Sequence, residues 1–365
     1  MKLGIEASNI KAGGGLTHLK ELLAAWQPAP GEELVVYAGA GVLAKLPEKE
    51  GLRKGGHPWL DKGAFFNMLW RILVLPGQAA KEGIRLIFSP GGNWLPGLNY
   101  VSMSQNMLVF ESRERNRFPS LKDRTRYRLL ELKQLLSFFF SRGILFISGY
   151  ARDYIFNKYP GLQNKTSSVV YHGVADRFGQ TEPKPKDGKV RFLYVSILNY
   201  YKHQDVLIQA FSDIRKEFPQ AELILAGPSH PAYLKKIGPA LEAAHEFVSY
   251  KGMVPHEEIH KLYAQADAFI FSSTCENMPN ILVEAMRSGL PVLCSSYGPM
   301  PEILGKNGLY FDPVSRESCA AAIRDFMNAP EKFRALSAGA AALSAGFTWQ
   351  KCADETFAFL RKIAG

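Results

Sequence analysis

The 365-residue sequence predicts an α/β protein built as two doubly wound domains in series. Short β-type apolar runs alternate with helix-period segments along the whole chain, the pattern of a parallel sheet covered on both faces. The alternation pauses once, from Asp176 to Gly188, in a stretch rich in Pro, Lys, Gly and acidic residues, and restarts at Val190. The length suffices for two cores of ordinary size, and 47% hydrophobic with 21% charged residues is a globular balance.

In the first half, KLGIEAS reads as a strand that runs into Lys11–Gly15 and a helix with Leu16, Leu19, Leu22 and Leu23 inward. Glycines there allow close backbone approach to a ligand, and the following helix supplies free N–H groups. The dinucleotide fingerprint GxGxxG does not fit, and a flexible strand-to-helix turn explains the stretch equally well. Further strands are expected at Glu33–Ala38, Arg85–Phe88, Val101–Ser104, Ile144–Ile147 and Val169–Val174, with helices at Phe65–Leu75 and Ser148–Asn157. The loops Ser89–Trp94 and Gln105–Glu111 follow strand C-ends, where open α/β sheets place ligands.

The second half repeats the scheme. Strands are expected at Val190–Ser196, Ala221–Ala226, Glu246–Tyr250 and Gly308–Phe311. Helices are expected at Gln204–Phe218, Ala232–Ala244, Pro255–Gln265 and Arg316–Met327, with terminal helices to Ile363. Its most informative stretch is Phe269–Glu302. An apolar run, Ala268–Phe271, breaks into a polar loop, Ser272–Met278, and a helix starts near Pro279 and stops at Gly289. A short strand, Val292–Cys294, follows. Strand, polar loop and free helix N-terminus together make an anion site. Glu276 and Glu284 lie eight positions apart, one before the helix and one inside it. At ~1.5 Å per residue they would stand about 12 Å apart along an axis, too far to flank one bond as a glycosidase pair.

Charge is uneven. Residues 1–175 hold 23 Lys/Arg against 13 Asp/Glu, whereas residues 176–365 hold 21 of each, so the net +10 sits in the first half. That half is expected to meet something anionic. Arg113–Arg142 alone carries nine Lys/Arg, while Leu129, Leu132, Leu136 and Phe139 recur at the spacing of one helix face. A basic helix with an aromatic end suits an anionic membrane interface; the alternative is an ordinary helix packed on its own domain. No nucleic-acid module is recognisable. The four cysteines are scattered, which argues against a zinc site and a disulfide framework. With no signal-like apolar core near the start, the expected location is cytoplasmic, peripheral at the inner membrane face.

Four features in order then resemble the retaining family-four glycosyltransferases of the GT-B fold, in which two Rossmann-like domains face a cleft. They are Phe192-Leu-Tyr-Val-Ser-Ile-Leu-Asn-Tyr-Tyr-Lys202 with the helix Ile208–Phe211, Leu223-Ile-Leu-Ala-Gly227, Tyr250-Lys-Gly-Met-Val254 followed by Leu262-Tyr-Ala-Gln-Ala-Asp267, and the E-x7-E pair Glu276 and Glu284. The resemblance covers residues 190–330 well and the first half in outline. It implies an acceptor domain at 1–178, a donor domain at 179–346, and a helix over 347–365 packed back onto the first. Glu284 would hold the donor ribose, Glu276 would sit beside the donor sugar, and Lys202 would contact the diphosphate. Backbone at Asn280, Ile281 and Leu282 would cradle that diphosphate, with Gly14 and Gly15 approaching it from the other domain. Met253 and Val254 would lie near the base, and Gly227 would line the donor site. Two departures stand out. Ser196-Ile197 replaces the family's Gly-Arg, and Gln105-Asn106 stands where many members carry a histidine, so Asn106 is left to donate to a sugar hydroxyl. The resemblance thus implies hexosyl transfer from a nucleotide-diphosphate sugar to a glycan or lipid-linked acceptor, in polysaccharide or lipopolysaccharide assembly, with no metal or other cofactor. The alternatives are a nucleotide-sugar 2-epimerase of the same fold and a non-catalytic nucleotide-sugar-binding module.

Overall fold

The computed structural model describes residues 1–179, 187–255 and 257–365. The chain forms two compact units, one of residues 1–110, 121–173 and 348–365, the other of residues 111–120 and 174–347.

Unit 1 is built on seven parallel strands: β1 (Lys2–Glu6), β2 (Glu33–Tyr37), β3 (Leu52–Gly55), β4 (Leu86–Ser89), β5 (Tyr100–Met103), β6 (Gly143–Phe146) and β7 (Ser167–Val169). Their order is β3-β2-β1-β4-β5-β6-β7, so the chain winds outward in both directions from the β1–β4 pair. Central strands are buried on both faces, which is why runs such as Leu34-Val-Val-Tyr37 are continuously apolar rather than alternating. The run Leu52–Gly55 is too polar to read as a strand from sequence; as an edge strand paired only with β2 it needs no apolar face. The helix Gly13–Ala25 buries Leu19, Leu22 and Leu23, with His18 taking the place expected of Leu16. The helical run expected to end at Leu75 continues to Glu82. A wider π turn, Trp70–Val74, precedes Pro76, whose missing N–H cannot serve the regular ladder. The final helix, Trp349–Ala364, packs against Gly13–Ala25, and Arg361 forks onto the buried carboxylate of Glu32.

Unit 2 has six parallel strands: β8 (Val190–Val195), β9 (Ala221–Ala226), β10 (Val248–Tyr250), β11 (Ala268–Phe271), β12 (Val292–Ser295) and β13 (Leu309–Phe311), in the order β10-β9-β8-β11-β12-β13. The helix expected over Gln204–Phe218 stops at Ile214, and that expected from Pro255 begins at Ile259. Most of the expected linker, residues 180–186, lies outside the described residues. Its first residues, Asp176–Gly179, form a 3₁₀ turn whose buried Phe178 meets the Tyr263 ring edge-on at 5.4 Å.

Candidate functional site

In unit 2 the functional residues gather where β8, β9, β10 and β11 end. Gly227, directly after β9, sits at φ 139°, and a Cβ there would stand 2.2 Å from the Ser196 carbonyl. Glycine is therefore required for the ends of β8 and β9 to close together. Met253, strongly exposed, and Val254 follow β10 in the same end of the sheet.

Lys202 ends a 3₁₀ turn capped by Asn199, whose side chain accepts from the Tyr200 N–H at 2.8 Å. Two donors fix the Lys202 carbonyl, Ser272 Oγ at 2.7 Å and Tyr194 OH at 3.1 Å. The loop after β11 is stitched to the same turn by the Thr274 N–H, which donates to the Tyr201 carbonyl at 2.9 Å. These bonds carry Glu276 to Lys202, and the two form a nearly buried ion pair, with Lys202 Nζ also 5.4 Å from the Phe271 ring centroid. His203 follows in a left-handed conformation, φ 51°, and its Nε2 lies 3.0 Å from Thr274 Oγ1, which in turn donates to Glu114. Burial holds the His203 imidazole down to about 4, and Arg117 adds to the effect, so the ring is neutral near pH 7. Thr274 spends its hydroxyl proton on Glu114, so a neutral His203 donates from Nε2. Residues 111–120 thereby belong to unit 2 through Glu114, a contact that no local sequence signal announces.

The helix Asn280–Arg287 follows. Pro279 stands just outside it, extended at ψ 92°, rather than in its first turn as its fixed φ suggested. The expected stop at Gly289 is observed as a Schellman motif: Gly289 has φ 67°, its N–H reaches Met286 O at 3.1 Å, and Leu290 N–H reaches Ala285 O at 3.2 Å. Pro279, its N-cap residue, supplies no side-chain hydrogen bond to the N-terminus. The Leu282 N–H donates to the Pro279 carbonyl at 2.9 Å, while the Ile281 N–H meets no acceptor among the described residues. Glu284 is buried one turn further in. It accepts from Tyr263 OH at 3.0 Å, and burial pushes its carboxyl up to about 7 against the opposing effects of Tyr263 and Arg177. The sequence motif Leu262–Asp267 contains Tyr263 but assigns it no role, because its spacing is that of a core aromatic. Ile197, at the position of the missing arginine, offers only its carbonyl, to Gln204 Nε2 at 3.1 Å. All four cysteines are buried free thiols.

In unit 1, Gly15 and Asn106 line one cavity of about 240 Å³ where β1, β4 and β5 end. Gly13 carries the positive φ of 66° and opens the helix, Gly14 and Gly15 form its first turn, and no side chain caps that end. A Cβ on Gly14 would meet nothing within 4 Å, so the chain's own packing does not require that glycine. Asn106 Oδ1 accepts the Leu108 N–H at 3.0 Å, which leaves its amide NH₂ for a ligand. Glu6, which sequence reasoning did not single out, is the fully buried last residue of β1. It accepts from Ser89 Oγ at 3.1 Å, Asn93 Nδ2 at 2.7 Å and the Ser8 N–H at 3.1 Å, with Arg71 3.9 Å away. Strand alternation gives no warning of such a carboxylate, whose charge is tolerated only because the loops supply its donors.

The leucine face expected on Arg113–Arg142 lies on the helix Leu121–Phe140, and it faces outward: Leu129 is 62% exposed and Leu132 59%, while Phe138 faces the core. The helix does pack on its own unit, through Ser137 and Phe138, with Tyr100 OH donating to the Ser137 carbonyl at 2.8 Å, so the leucine row is not the face that meets the protein. Phe139 and Phe140 are also exposed, and Phe140 touches Trp94, their ring centroids 6.0 Å apart. Among the described residues no helix is long and apolar enough to cross a membrane.

Comparison with known proteins matches residues 177–342 to the family described as glycosyl transferases group 1. Spore coat protein SA of Bacillus subtilis (strain 168) is 27% identical over 246 residues, covering 60% of this chain and 64% of that protein. O-antigen chain mannosyltransferase B of Escherichia coli is 32% identical over 110 residues, 30% of this chain and 29% of that protein. The chain thus spans less than two thirds of the length of these curated relatives. The solved structure of Anabaena HepE in complex with UDP and glucose superposes with a TM-score of 0.74 at 18% identity, covering 99% of this chain and all of that one. Residues 177–342 thus match the glycosyl transferases group 1 family, and the chain, with its two parallel-sheet, Rossmann-like units, has the GT-B fold.

Proposed function

We propose that this protein is a retaining hexosyltransferase that moves a sugar from a nucleotide-diphosphate donor held by unit 2 to a glycan or lipid-linked acceptor held by unit 1. The observation that carries the reading is the placement of Lys202 and Glu276 at one sheet end with the helix N-terminus at Asn280 and the buried Glu284. Breaking the bond between the anomeric carbon and phosphate oxygen leaves a nucleoside diphosphate with new negative charge. An ammonium and a helix N-terminus stabilise such charge themselves, which is why no metal is assigned to the step. Glu284 takes the ribose hydroxyls. The acceptor hydroxyl forms the new bond from the leaving-group side, and its proton passes to the departing phosphate oxygen. Neither Glu276 nor Glu284 is the base. Relatives named for O-antigen synthesis and for binding UDP with glucose support the polysaccharide setting and the donor class.

The test is a single-turnover assay with radiolabelled UDP-, GDP- and dTDP-sugars and a crude membrane glycolipid fraction. Label is expected in the lipid fraction with one donor. Binding without transfer would point to an inert module, and donor isomerisation without acceptor to an epimerase.

Membrane contact belongs to the same proposal. The exposed row of Leu129, Leu132 and Leu136 lies on one helix with the exposed Arg126 and Arg128. Apolar side chains beside arginines match an anionic lipid surface in both chemistry and charge. The protein should sediment with vesicles containing phosphatidylglycerol and not with neutral ones. Replacing Arg124, Arg126 and Arg128 by glutamine should release it, and undiminished sedimentation of that variant would remove the proposal.

A further inference from the structure

The cavity of unit 1 lies at the β1–β4 pair, the point where the strand order reverses and where open α/β sheets bind ligands. Its walls are mostly neutral. The Pro90-Gly-Gly92 loop sits tight on one side: a Cβ on Gly91 would meet the Asn9 side chain at 1.9 Å, and one on Gly92 would meet Gln134 Nε2 at 2.0 Å. Asn9 Nδ2 donates to the Gly91 carbonyl at 3.0 Å and Gln134 Nε2 to the Met103 carbonyl at 2.9 Å, so this shape is held from two sides.

Into this cavity the helix Leu121–Phe140 brings Lys133. Lys133 makes no hydrogen bond and no ion pair among the described residues, although it is half-buried. The buried carboxylate that acts on it, Glu6, is already occupied by Ser8, Ser89, Asn93 and Arg71. Burial, with Arg71 adding to it and Glu6 opposing, holds the Lys133 ammonium below the usual lysine range. A cation kept partly out of water with no ion-pair partner costs folding free energy, and a bound anion would offset that cost. The lining also includes Ala12 and Gly15, at the start of the helix Gly13–Ala25, where Ala12 supplies no side-chain cap, and a second lysine without an ion pair among the described residues, Lys11.

We propose that this cavity binds an oxyanion, carboxylate or phosphate, carried by the acceptor, with Lys133 as its counter-charge and Asn106 donating to a neighbouring hydroxyl. The proposal rests on the reading of unit 1 as the acceptor side and deepens it: the acceptor is an acidic glycan or a sugar phosphate rather than a neutral one. The same chemistry could come from the donor's diphosphate, so the experiment separates the two sources. The intact chain, its Lys133→Met variant and its Lys133→Arg variant are titrated by calorimetry with methyl glucuronoside, methyl glucoside, UDP, GDP and dTDP. In the parent the acidic glycoside should bind about tenfold tighter than the neutral one, the scale of a charged hydrogen bond. Lys133→Met should abolish that preference and Lys133→Arg keep most of it, with UDP affinity unchanged in both. Equal binding of the two glycosides by the parent, no binding of the acidic one, or an unaltered preference in Lys133→Met would each overturn the proposal. So would a loss confined to UDP, which would assign the lysine to the donor. Failure of the parent to bind any of UDP, GDP or dTDP would instead count against the donor reading of unit 2, so the two failures are told apart.

Discussion

Replacing Lys202 by methionine should lower kcat by about 10²–10³-fold, the loss seen when one preorganised donor to a developing oxyanion is removed. The variant carries a second penalty. Its ammonium is ion-paired to Glu276 in a nearly buried setting, so removing it leaves a carboxylate stranded, at a cost of roughly 3–5 kcal/mol. Stability and chemistry can be separated with the double variant Lys202→Met, Glu276→Gln. Neutralising the second partner should restore most of the melting temperature while turnover stays low. If the double variant regained activity along with stability, Lys202 would be a structural lysine and the leaving-group assignment would fail. The absence of an arginine at Ile197 makes the test sharper, because no guanidinium at that position can compensate.

A second large effect is expected at Glu284. Its folded-state pKa, about 7, stands above the ordinary value of 4.5 because the carboxyl is buried. An acid raised in this way ionises at a cost to folding, so it lowers stability progressively as pH rises from about 4.5 to 7. Above that range the penalty is roughly 3 kcal/mol. Glu284→Gln should therefore be more stable than the parent at pH 8 and equal to it near pH 4.5, measured by urea unfolding at both values. Ligand binding should change in the opposite direction. Ribose hydroxyls donate to the ionised carboxylate, so the parent's nucleotide affinity should fall as pH drops below about 7. The glutamine variant should bind about ten- to a hundredfold more weakly at pH 8, without that pH dependence. A parent whose affinity is flat from pH 5.5 to 8 would remove Glu284 from the donor contacts. Stability that falls on substitution would show that the carboxylate serves the fold.

How much of this was legible beforehand varies with the reach of the interaction. The strand–loop–helix unit at Ala268–Gly289 reads directly, since an apolar run, a polar loop and a Gly–Leu–Pro stop act within one or two turns of chain. The Schellman closure at Gly289 needs only a residue that tolerates a positive φ. The Glu284–Tyr263 bond was not legible, because it joins two helices 21 positions apart and Tyr263 has the spacing of a core aromatic. Glu6 was equally hidden: a carboxylate at a strand end is ordinarily solvated, and only the folding of Ser89, Asn93 and Arg71 around it makes it a buried hub. The helix Leu121–Phe140 shows the limit from the other side. Its leucine period is correct, yet periodicity gives which residues share a face and not whether that face meets protein or solvent.

By itself the sequence determined the two-unit α/β class, the restart at Val190, the uneven charge and the residue types at the donor-type motifs, because these depend on local pattern and order along the chain. Only the tertiary structure decided that Lys202 is paired with Glu276, that Glu284 is desolvated, that 111–120 belongs to unit 2, and that Lys133 stands in a cavity without an ion-pair partner among the described residues. The physical reason is common to all four. Burial and pairing are set by contacts between segments distant in the chain, and a side chain's charge acquires its meaning from what the fold places around it.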